Sequence, residues 1–127
     1  MAIKKVSFVG LRSAGFDWTV EIFRDCLGAR TIRSENDIAG FRLDDGTLLE
    51  VYSPAEPFHS FFETGPVIGF EVDDFWATRR DLEDKGATFI GEVQSDDSLC
   101  WQHFHMPDGT VLEIMGPVQI NDENKKD

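Results

Sequence analysis

Apolar and polar residues alternate along two stretches of the chain, each introduced by an Asp-Gly pair. Asp45–Val51 reads DGTLLEV and Asp108–Ile114 reads DGTVLEI. Glycine adopts the positive φ of a tight hairpin, and aspartate can bond the backbone there, so each stretch predicts a turn that enters a β-strand. Alternation then places Glu50 and Glu113 on the face opposite the leucine before each of them. A carboxylate between apolar neighbours needs a polar partner or a wet cavity.

The two stretches are copies of one pattern. They are offset by 63 residues (109 − 46), and Phe41 falls on Phe104 at the same offset. Repetition on this scale is typical of equivalent supersecondary units that bury apolar faces together. The chain is therefore interpreted as a duplicated module.

In the first module, the pattern predicts a strand, a helix and three further strands. Lys4–Arg12 is apolar at its centre, as in a buried strand. Asp17 is the predicted cap of a helix that ends at Gly28. The three strands are predicted at Ala29–Arg33, Ala39–Leu43 and Thr47–Tyr52.

The second module repeats this order. It opens with a strand at Val67–Val72, and the acidic pair Asp73 and Asp74 precedes a helix at Phe75–Lys85. Its three strands are predicted at Thr88–Val93, Leu99–His105 and Thr110–Met115, with Gln94–Ser98 as a polar loop. The predicted fold class is α+β, with two tandem βαβββ modules.

The expected organisation is a single domain over residues 1–117. Module one covers about residues 4–52 and module two about residues 66–117, with a linker at 53–65. This linker contains prolines and several aromatic residues, and its His59 is predicted to be a surface residue. The charged residues 118–127 are predicted to be a disordered tail.

Composition and charge exclude several kinds of partner. The 127 residues carry a net charge of −12, and from Glu71 to Glu113 there are eleven acidic residues against three basic ones. Nucleic acid and anionic membranes both require a basic surface, so neither is an expected partner. The two cysteines, Cys26 and Cys100, are predicted to be free thiols in a cytoplasmic protein.

The second hairpin predicts a pairing of candidate functional residues. A five-residue connection from Met106 to Thr110 sets His103 opposite Glu113, with β-carbons about 5 Å apart. The pair is open to three interpretations: a buried hydrogen bond, part of a metal site, or a general base near neutral pH. Trp101 falls on the same face and is the best aromatic candidate for a ligand platform.

Three segments carry a family resemblance. They are Phe23–Gly28 (FRDCLG), Gly69–Asp74 (GFEVDD) and Phe104–Ile114 (FHMPDGTVLEI). Together they resemble the vicinal oxygen chelate superfamily, which includes glyoxalase I, bleomycin-resistance proteins and extradiol dioxygenases. The resemblance covers Lys4–Pro117 and implies an open, cup-shaped sheet with the helices outside, and a homodimer.

In the metal-dependent members of this superfamily, one ligand lies on the first strand and one on the last strand of each module. These positions map onto Phe8 and Val67 and onto Glu50 and Glu113. Phenylalanine and valine have no lone pair to donate, so half of the usual ligand set is missing. Glu50 and Glu113, with His103, remain the candidates for a divalent metal site.

The first expectation is therefore a protein that binds a small organic molecule in the cup, without a cofactor and without the usual complete metal site. An acidic surface and aromatic residues favour a cationic or aromatic ligand. The predicted ligand-binding residues are Phe8, Glu50, Val67 and Trp101.

Two enzymatic alternatives stay open at the level of the sequence. One is a metal-dependent lyase, isomerase or dioxygenase-like enzyme that uses Glu50, Glu113 and His103 around a divalent ion. The other is a metal-free proton-transfer enzyme with Glu113 and His103 as catalytic residues.

Overall fold

The computed structural model describes residues 2–63 and 65–118, which form two compact units. The N-terminal unit comprises Ser7–Ile68. The C-terminal unit begins at Gly69 and includes the start of the chain through Val6. Each unit holds one helix and its own strands, and the predicted α+β class is confirmed.

The N-terminal unit contains four strands, of which the first, β1, belongs to it from Ser7 onward, and their order is β2-β3-β4-β1. Neighbouring strands are antiparallel except for β1 and β4, which run parallel with Phe8 opposite Leu48. All four strands predicted for this module are confirmed, with ends shifted by one residue at most. Their bounds are β1 Ile3–Arg12, β2 Arg30–Ser34, β3 Ile38–Arg42 and β4 Leu48–Tyr52.

The helix of this unit begins earlier than predicted and ends where predicted, with Leu27 as the C-cap residue and Gly28 following it at φ +68°. Helix α1 spans Phe16–Glu21 and continues as a π-helical turn at Ile22–Cys26. The predicted cap at Asp17 is wrong, because Gly15 is the N-cap residue and no side chain bonds the helix end. The helix starts one residue before Asp17 since Phe16 packs against the core of the unit.

The C-terminal unit contains helix α2, Phe75–Asp84, and strands in the order β5-β9-β8-β6, of which β5 belongs to it from Gly69 onward; β7 also pairs with β8. The helix predicted after the acidic pair is confirmed, and Asp74 caps it, since its carboxylate accepts a hydrogen bond from the Ala77 N–H at 3.1 Å. The strands are β5 Val67–Val72, β6 Thr88–Phe89, β7 Gln94–Ser95, β8 Leu99–His105 and β9 Val111–Pro117.

The predicted strand Thr88–Val93 is wrong in its extent. Only Thr88 and Phe89 pair with β8, while Gln94 and Ser95, predicted as loop, form a second short pairing. Gly91 adopts φ +66°, a conformation that interrupts an extended strand, and so the segment divides in two.

Each unit has its own apolar core between its helix and one face of its sheet. Phe41 and Phe104, which matched in the sequence repeat, are both buried core residues. The N-terminal core comprises Ala39, Phe41, Leu49 and Val51, with Val9, Leu11, Phe16, Val20, Phe23 and Ala29 packed against it. The C-terminal core comprises Val72, Phe75, Cys100, Phe104 and Ile114, with Leu82, Ala87, Phe89, Val93 and Leu112 packed against it.

The two predicted Asp-Gly turns are confirmed and have the same geometry. Gly46 and Gly109 adopt φ +92° and +93°. In each turn the carboxylate of Asp45 or Asp108 accepts the backbone N–H two residues further on, at 2.9 and 3.0 Å. The repeat in the sequence is thus a repeat in structure down to its side-chain hydrogen bond.

Both cysteines are free thiols, as predicted, and burial raises the pKa of Cys100 to about 11. Neither helix in the described ranges has the length and apolar character needed to span a membrane. The predicted disordered tail lies outside the described residues except for Val118, whose N–H donates to the Ser98 carbonyl at 3.0 Å.

Candidate functional site

The β8–β9 hairpin has the register that the sequence predicted. His103 lies opposite Glu113, and Trp101 lies opposite Met115. These four residues mark one face of the hairpin, here called the polar face. The other face contributes Cys100, Phe104 and Ile114 to the core, because successive side chains of a strand alternate.

His103 and Glu113 form a buried imidazole–carboxylate pair on the polar face, which is ionic when the imidazole is protonated. Their Nε2 and Oε2 atoms are 3.3 Å apart, and their side chains are only 10% and 5% exposed. Burial penalises a lone carboxylate, whereas a neighbouring imidazolium stabilises it. An imidazole and a carboxylate in this arrangement can hold a proton between them and pass it to or from a bound molecule.

The apolar side chains beside this pair are partly exposed. Trp101 and Met115 remain half-buried at the neighbouring cross-strand position, and Gln94 of β7 pairs with Trp101 from the other side. An indole ring next to a buried polar pair offers both apolar contact and a directional polar contact, the combination typical of small-molecule sites.

The equivalent carboxylate of the N-terminal unit has different partners. Glu50 Oε1 accepts a hydrogen bond of 2.5 Å from the Tyr52 hydroxyl, and its Oε2 lies 3.6 Å from the Arg33 guanidinium. Arg33 also binds Glu35 at 2.6 Å. Tyr52 and Arg33 are therefore the polar partners that the Glu50 carboxylate needs between its apolar neighbours.

Glycines flank Glu50 on both neighbouring strands. Gly10 of β1 and Gly40 of β3 are its cross-strand partners. A Cβ at position 10 would lie only 2.5 Å from the Phe62 ring, so the missing side chain makes room for that ring. A Cβ added at position 40 would lie 3.1 Å from the Cβ of Arg33, so Arg33 lies directly beside Gly40.

The prediction that His59 is a surface residue is wrong. Its side chain is 14% exposed, and its Nδ1–H donates to Glu56 Oε1 at 2.9 Å. The imidazole is stacked on the Tyr52 ring, with centroids 3.7 Å apart and planes 9° apart. Burial lowers the pKa of His59 below 6.5, and the carboxylates of Glu56 and Glu50 oppose that shift only in part.

Arg12 contacts residues 53–63, here called the connector, which carry His59. Its guanidinium donates to the Pro54 carbonyl at 2.8 Å and to the Ser60 carbonyl at 3.5 Å. The connector therefore folds onto its own unit as an ordered segment. Because this packing has no periodic pattern in the sequence, no signal predicted it.

Four residues of this region were missing from the candidates predicted from sequence: Arg33, Tyr52, Glu56 and His59. One of them, Tyr52, could have been predicted from the sequence, because alternation places it on the same face as Glu50, two positions along β4. The positions of the other three residues depend on irregular backbone. For Arg33 this is the bulge in β2 between Thr31 and Arg33, and for Glu56 and His59 it is the path of the connector.

Two of the four metal-ligand positions implied by the family resemblance have no atom that could bind a metal ion. Phe8 is 5% exposed and Val67 is fully buried, and both are apolar. Glu50 is bonded to Tyr52. Within residues 2–63 and 65–118, no three His, Cys, Asp or Glu side chains are grouped so that they could hold a metal. The metal role of Glu50, His103 and Glu113 stays a prediction, as do the ligand-binding roles of Phe8, Glu50, Val67 and Trp101.

Comparisons with known proteins bear on the fold. No protein-family model matches the chain, and no curated protein matches it. Solved structures do match. Methylmalonyl-CoA epimerase from Mycobacterium tuberculosis has a TM-score of 0.66 at 18% identity, over 92% of this chain and 90% of that one. A glyoxalase/bleomycin resistance protein/dioxygenase superfamily member from Vibrio splendidus 12B01 has a TM-score of 0.63 at 15% identity. This match covers 88% of this chain and 97% of that one.

A third structure is the Mn(II)-bound glyoxalase from Novosphingobium aromaticivorans. It has a TM-score of 0.70 at 19% identity, and the match covers 90% of this chain and 39% of the glyoxalase. At these identities the likeness establishes the fold. The chain has the vicinal oxygen chelate fold, as the sequence resemblance implied.

Proposed function

We propose that the protein binds a small organic molecule on the polar face of the β8–β9 hairpin, without a metal ion. Trp101 supplies the apolar contact, and the His103–Glu113 pair supplies the polar one. The observation that carries this proposal is the buried imidazole–carboxylate pair, 3.3 Å between Nε2 and Oε2, beside a half-buried tryptophan. Burying such a pair without using it costs free energy that apolar residues would not cost.

Charge favours a cationic or neutral aromatic ligand. The net charge of −12 and the excess of acidic residues between Glu71 and Glu113 repel phosphates and carboxylates. A tryptophan ring attracts a cation placed over its face, and this attraction adds to that of the carboxylates. The ligand class is therefore a small aromatic molecule, preferably one with a positive charge.

Trp101 fluorescence tests the proposal directly. The chain has three tryptophans, and Trp18 and Trp76 are exposed, so the W18F/W76F variant leaves Trp101 as the only reporter. We expect benzyltrimethylammonium to change this emission at lower concentration than toluene. Benzoate should act weakest of the three because it is anionic.

Two variants separate the contacts in this experiment. In the reporter background, E113Q removes the carboxylate charge and should weaken binding of benzyltrimethylammonium more than binding of toluene. H105A, which changes a histidine outside the pair, serves as the matched control and should bind like the parent. If none of the three probes changes Trp101 emission at millimolar concentration, the proposal is wrong.

Proton transfer on the bound molecule is a second candidate function, favoured by the same imidazole–carboxylate pair. One structural neighbour is an epimerase for methylmalonyl-CoA. The test is deuterium uptake from D2O at the carbon next to the carbonyl of phenylacetone, an aromatic ketone without the anionic groups that the acidic surface repels, followed by mass spectrometry. Uptake that depends on Glu113, and is lost in E113Q, would support an enzyme. Uptake equal to the protein-free rate would exclude this substrate.

The metal-dependent alternative has its own measurement. Elemental analysis of untagged protein, before and after addition of zinc, nickel and manganese, should give far less than one metal ion per chain. Stoichiometric metal that is lost in an E50Q/H103A/E113Q variant would contradict the metal-free proposal and support a lyase, isomerase or dioxygenase-like enzyme.

A further inference from the structure

The His59 imidazole is enclosed on one face and two edges by aromatic rings. Its face lies 3.7 Å from the Tyr52 ring centroid at an angle of 9°. Phe58 and Phe62 meet it edge-on, with centroids at 4.8 and 5.0 Å and angles of 73° and 74°. These three residues, Tyr52, Phe58 and Phe62, are here called the aromatic box. Stacked and edge-on contacts at these distances are the favourable geometries for aromatic rings.

One polar contact fixes the orientation of the imidazole in the box. Glu56 Oε1 accepts the Nδ1–H at 2.9 Å and also the His59 backbone N–H at 2.8 Å. Glu56 is itself buried. A buried carboxylate costs free energy that a purely apolar filling, such as a phenylalanine at position 59, would avoid. The box therefore has the features of a recognition site, with ring contacts for affinity and one acceptor for specificity.

We infer that the aromatic box, with the Glu56 carboxylate at its edge, is a binding subsite for a planar nitrogen heteroaromatic ring, which His59 fills in this structure. The ligand would stack on Tyr52 and donate a ring N–H to Glu56. The subsite lies wholly in the N-terminal unit and uses neither Trp101 nor the His103–Glu113 pair. It therefore stands or fails independently of the proposed function.

Exchange of His59 for such a ligand requires the imidazole to leave the box. The His59 side chain is partly open to the surface, since 14% of it is exposed. In the inferred exchange, rotation about its χ1 angle to another staggered rotamer would carry the imidazole outward. Arg12 keeps the connector anchored at Pro54 and Ser60 throughout. A larger ring than imidazole would also cover more of the Tyr52 face.

Tyr52 is the only tyrosine in the chain, so it provides a specific reporter. Protein labelled with 3-fluorotyrosine gives a single fluorine resonance, from the ring on which the ligand would stack. We expect benzimidazole to shift this resonance in the wild-type protein in a saturable manner and to move the His59 ring protons with it. No variant is needed for this part of the test.

The His59→Ala variant leaves the box empty and should bind imidazole itself, with a shifted Tyr52 resonance and a raised melting temperature. His105→Ala is the matched control and should show neither effect. In a His59→Ala, Glu56→Gln variant the imidazole affinity should fall about tenfold, because the charged acceptor is lost. The inference is overturned if benzimidazole leaves the wild-type Tyr52 resonance unchanged, whether or not imidazole binds to the variant.

Discussion

The hydroxyl of Tyr52 donates a 2.5 Å hydrogen bond to the carboxylate of Glu50, two positions before it on the same strand. Both side chains leave β4 on the face opposite Leu49 and Val51, which belong to the core. Tyr52 is fully buried and the Glu50 side chain is 14% exposed, so most of this bond's surroundings are protein. Hydrogen bonds to charged groups in such surroundings are stronger than those between neutral groups.

The Tyr52→Phe substitution should lower the free energy of unfolding by about 1.5–3 kcal/mol, because it removes the donor to a charged acceptor and keeps the ring. Urea unfolding measures the change. In an E50Q background the same substitution should cost less, since the acceptor is then neutral. Equal costs in the two backgrounds would mean that the charge of Glu50 adds nothing to the bond.

Loss of the α2 cap should be measurable as well. Asp74→Ala removes the acceptor for the Ala77 N–H and should cost about 1 kcal/mol. Asp17→Ala is the matched control, because Asp17 lies in the first turn of α1 but caps nothing in the structure. Thermal unfolding of both variants tests the contrast. A cost at Asp17 equal to that at Asp74 would contradict the assignment of the two helix ends.

His59 makes stability depend on pH in a defined window. Burial depresses the pKa of its imidazole below 6.5, so below this pH the unfolded chain binds the proton more readily than the folded one. Stability contributed by this site is thus complete above pH 6.5 and falls as the pH drops toward the folded pKa. Urea unfolding at pH 7.5, 6.5 and 5.5 should show this loss, with a smaller slope in His59→Gln.

Glu56 also makes the stability depend on pH, but at lower pH than His59 does. Burial alone would raise the pKa of its carboxyl, but the hydrogen bonds and charge of His59 outweigh that effect and leave it below 4.5. Its contribution is lost only as the pH falls through the folded pKa of Glu56, below 4.5.

For His59, by contrast, the decisive range lies above that of Glu56. A stability profile that is flat between pH 7.5 and 5.5 would contradict the buried placement of His59.

The glycine at position 10 should be intolerant of even a methyl group. A Cβ there would lie 2.5 Å from Phe62 Cε2 and 2.7 Å from Phe8 Cζ, so at least one ring must move. We expect Gly10→Ala to destabilise the protein by about 1–3 kcal/mol. A Gly10→Ala, Phe62→Leu double variant should cost less than the sum of the two single changes, as measured by denaturant unfolding. Additive costs would show that the methyl group does not press on Phe62.

Much of the fold followed from local chemistry. The Asp-Gly turns and the alternation after them predicted both the hairpin geometry and the contact between His103 and Glu113, because turn length fixes register in a hairpin. Gly91 has a positive φ, and this conformation divides a predicted strand in two. The periodicity of apolar side chains could not predict it.

The surroundings of Glu50 were only partly predictable. The need for a polar partner followed from its position between apolar residues, but the partner's identity did not. Arg33 reaches it because β2 contains a bulge, and His59 lies beside Tyr52 because the connector folds back. Contacts of this kind join segments far apart in the sequence through irregular backbone, for which no repeating pattern exists.

The strand pairings of the two units imply different folding times. The β8–β9 hairpin joins its strands through a five-residue connection, and hairpins of this kind form in about 1–10 μs. The parallel pairing of β1 with β4 closes a loop of 40 residues, from Phe8 to Leu48 (48 − 8), and such long-range closure is slow. Stopped-flow refolding should therefore show Trp101 reaching its native environment before Tyr52 becomes protected from solvent.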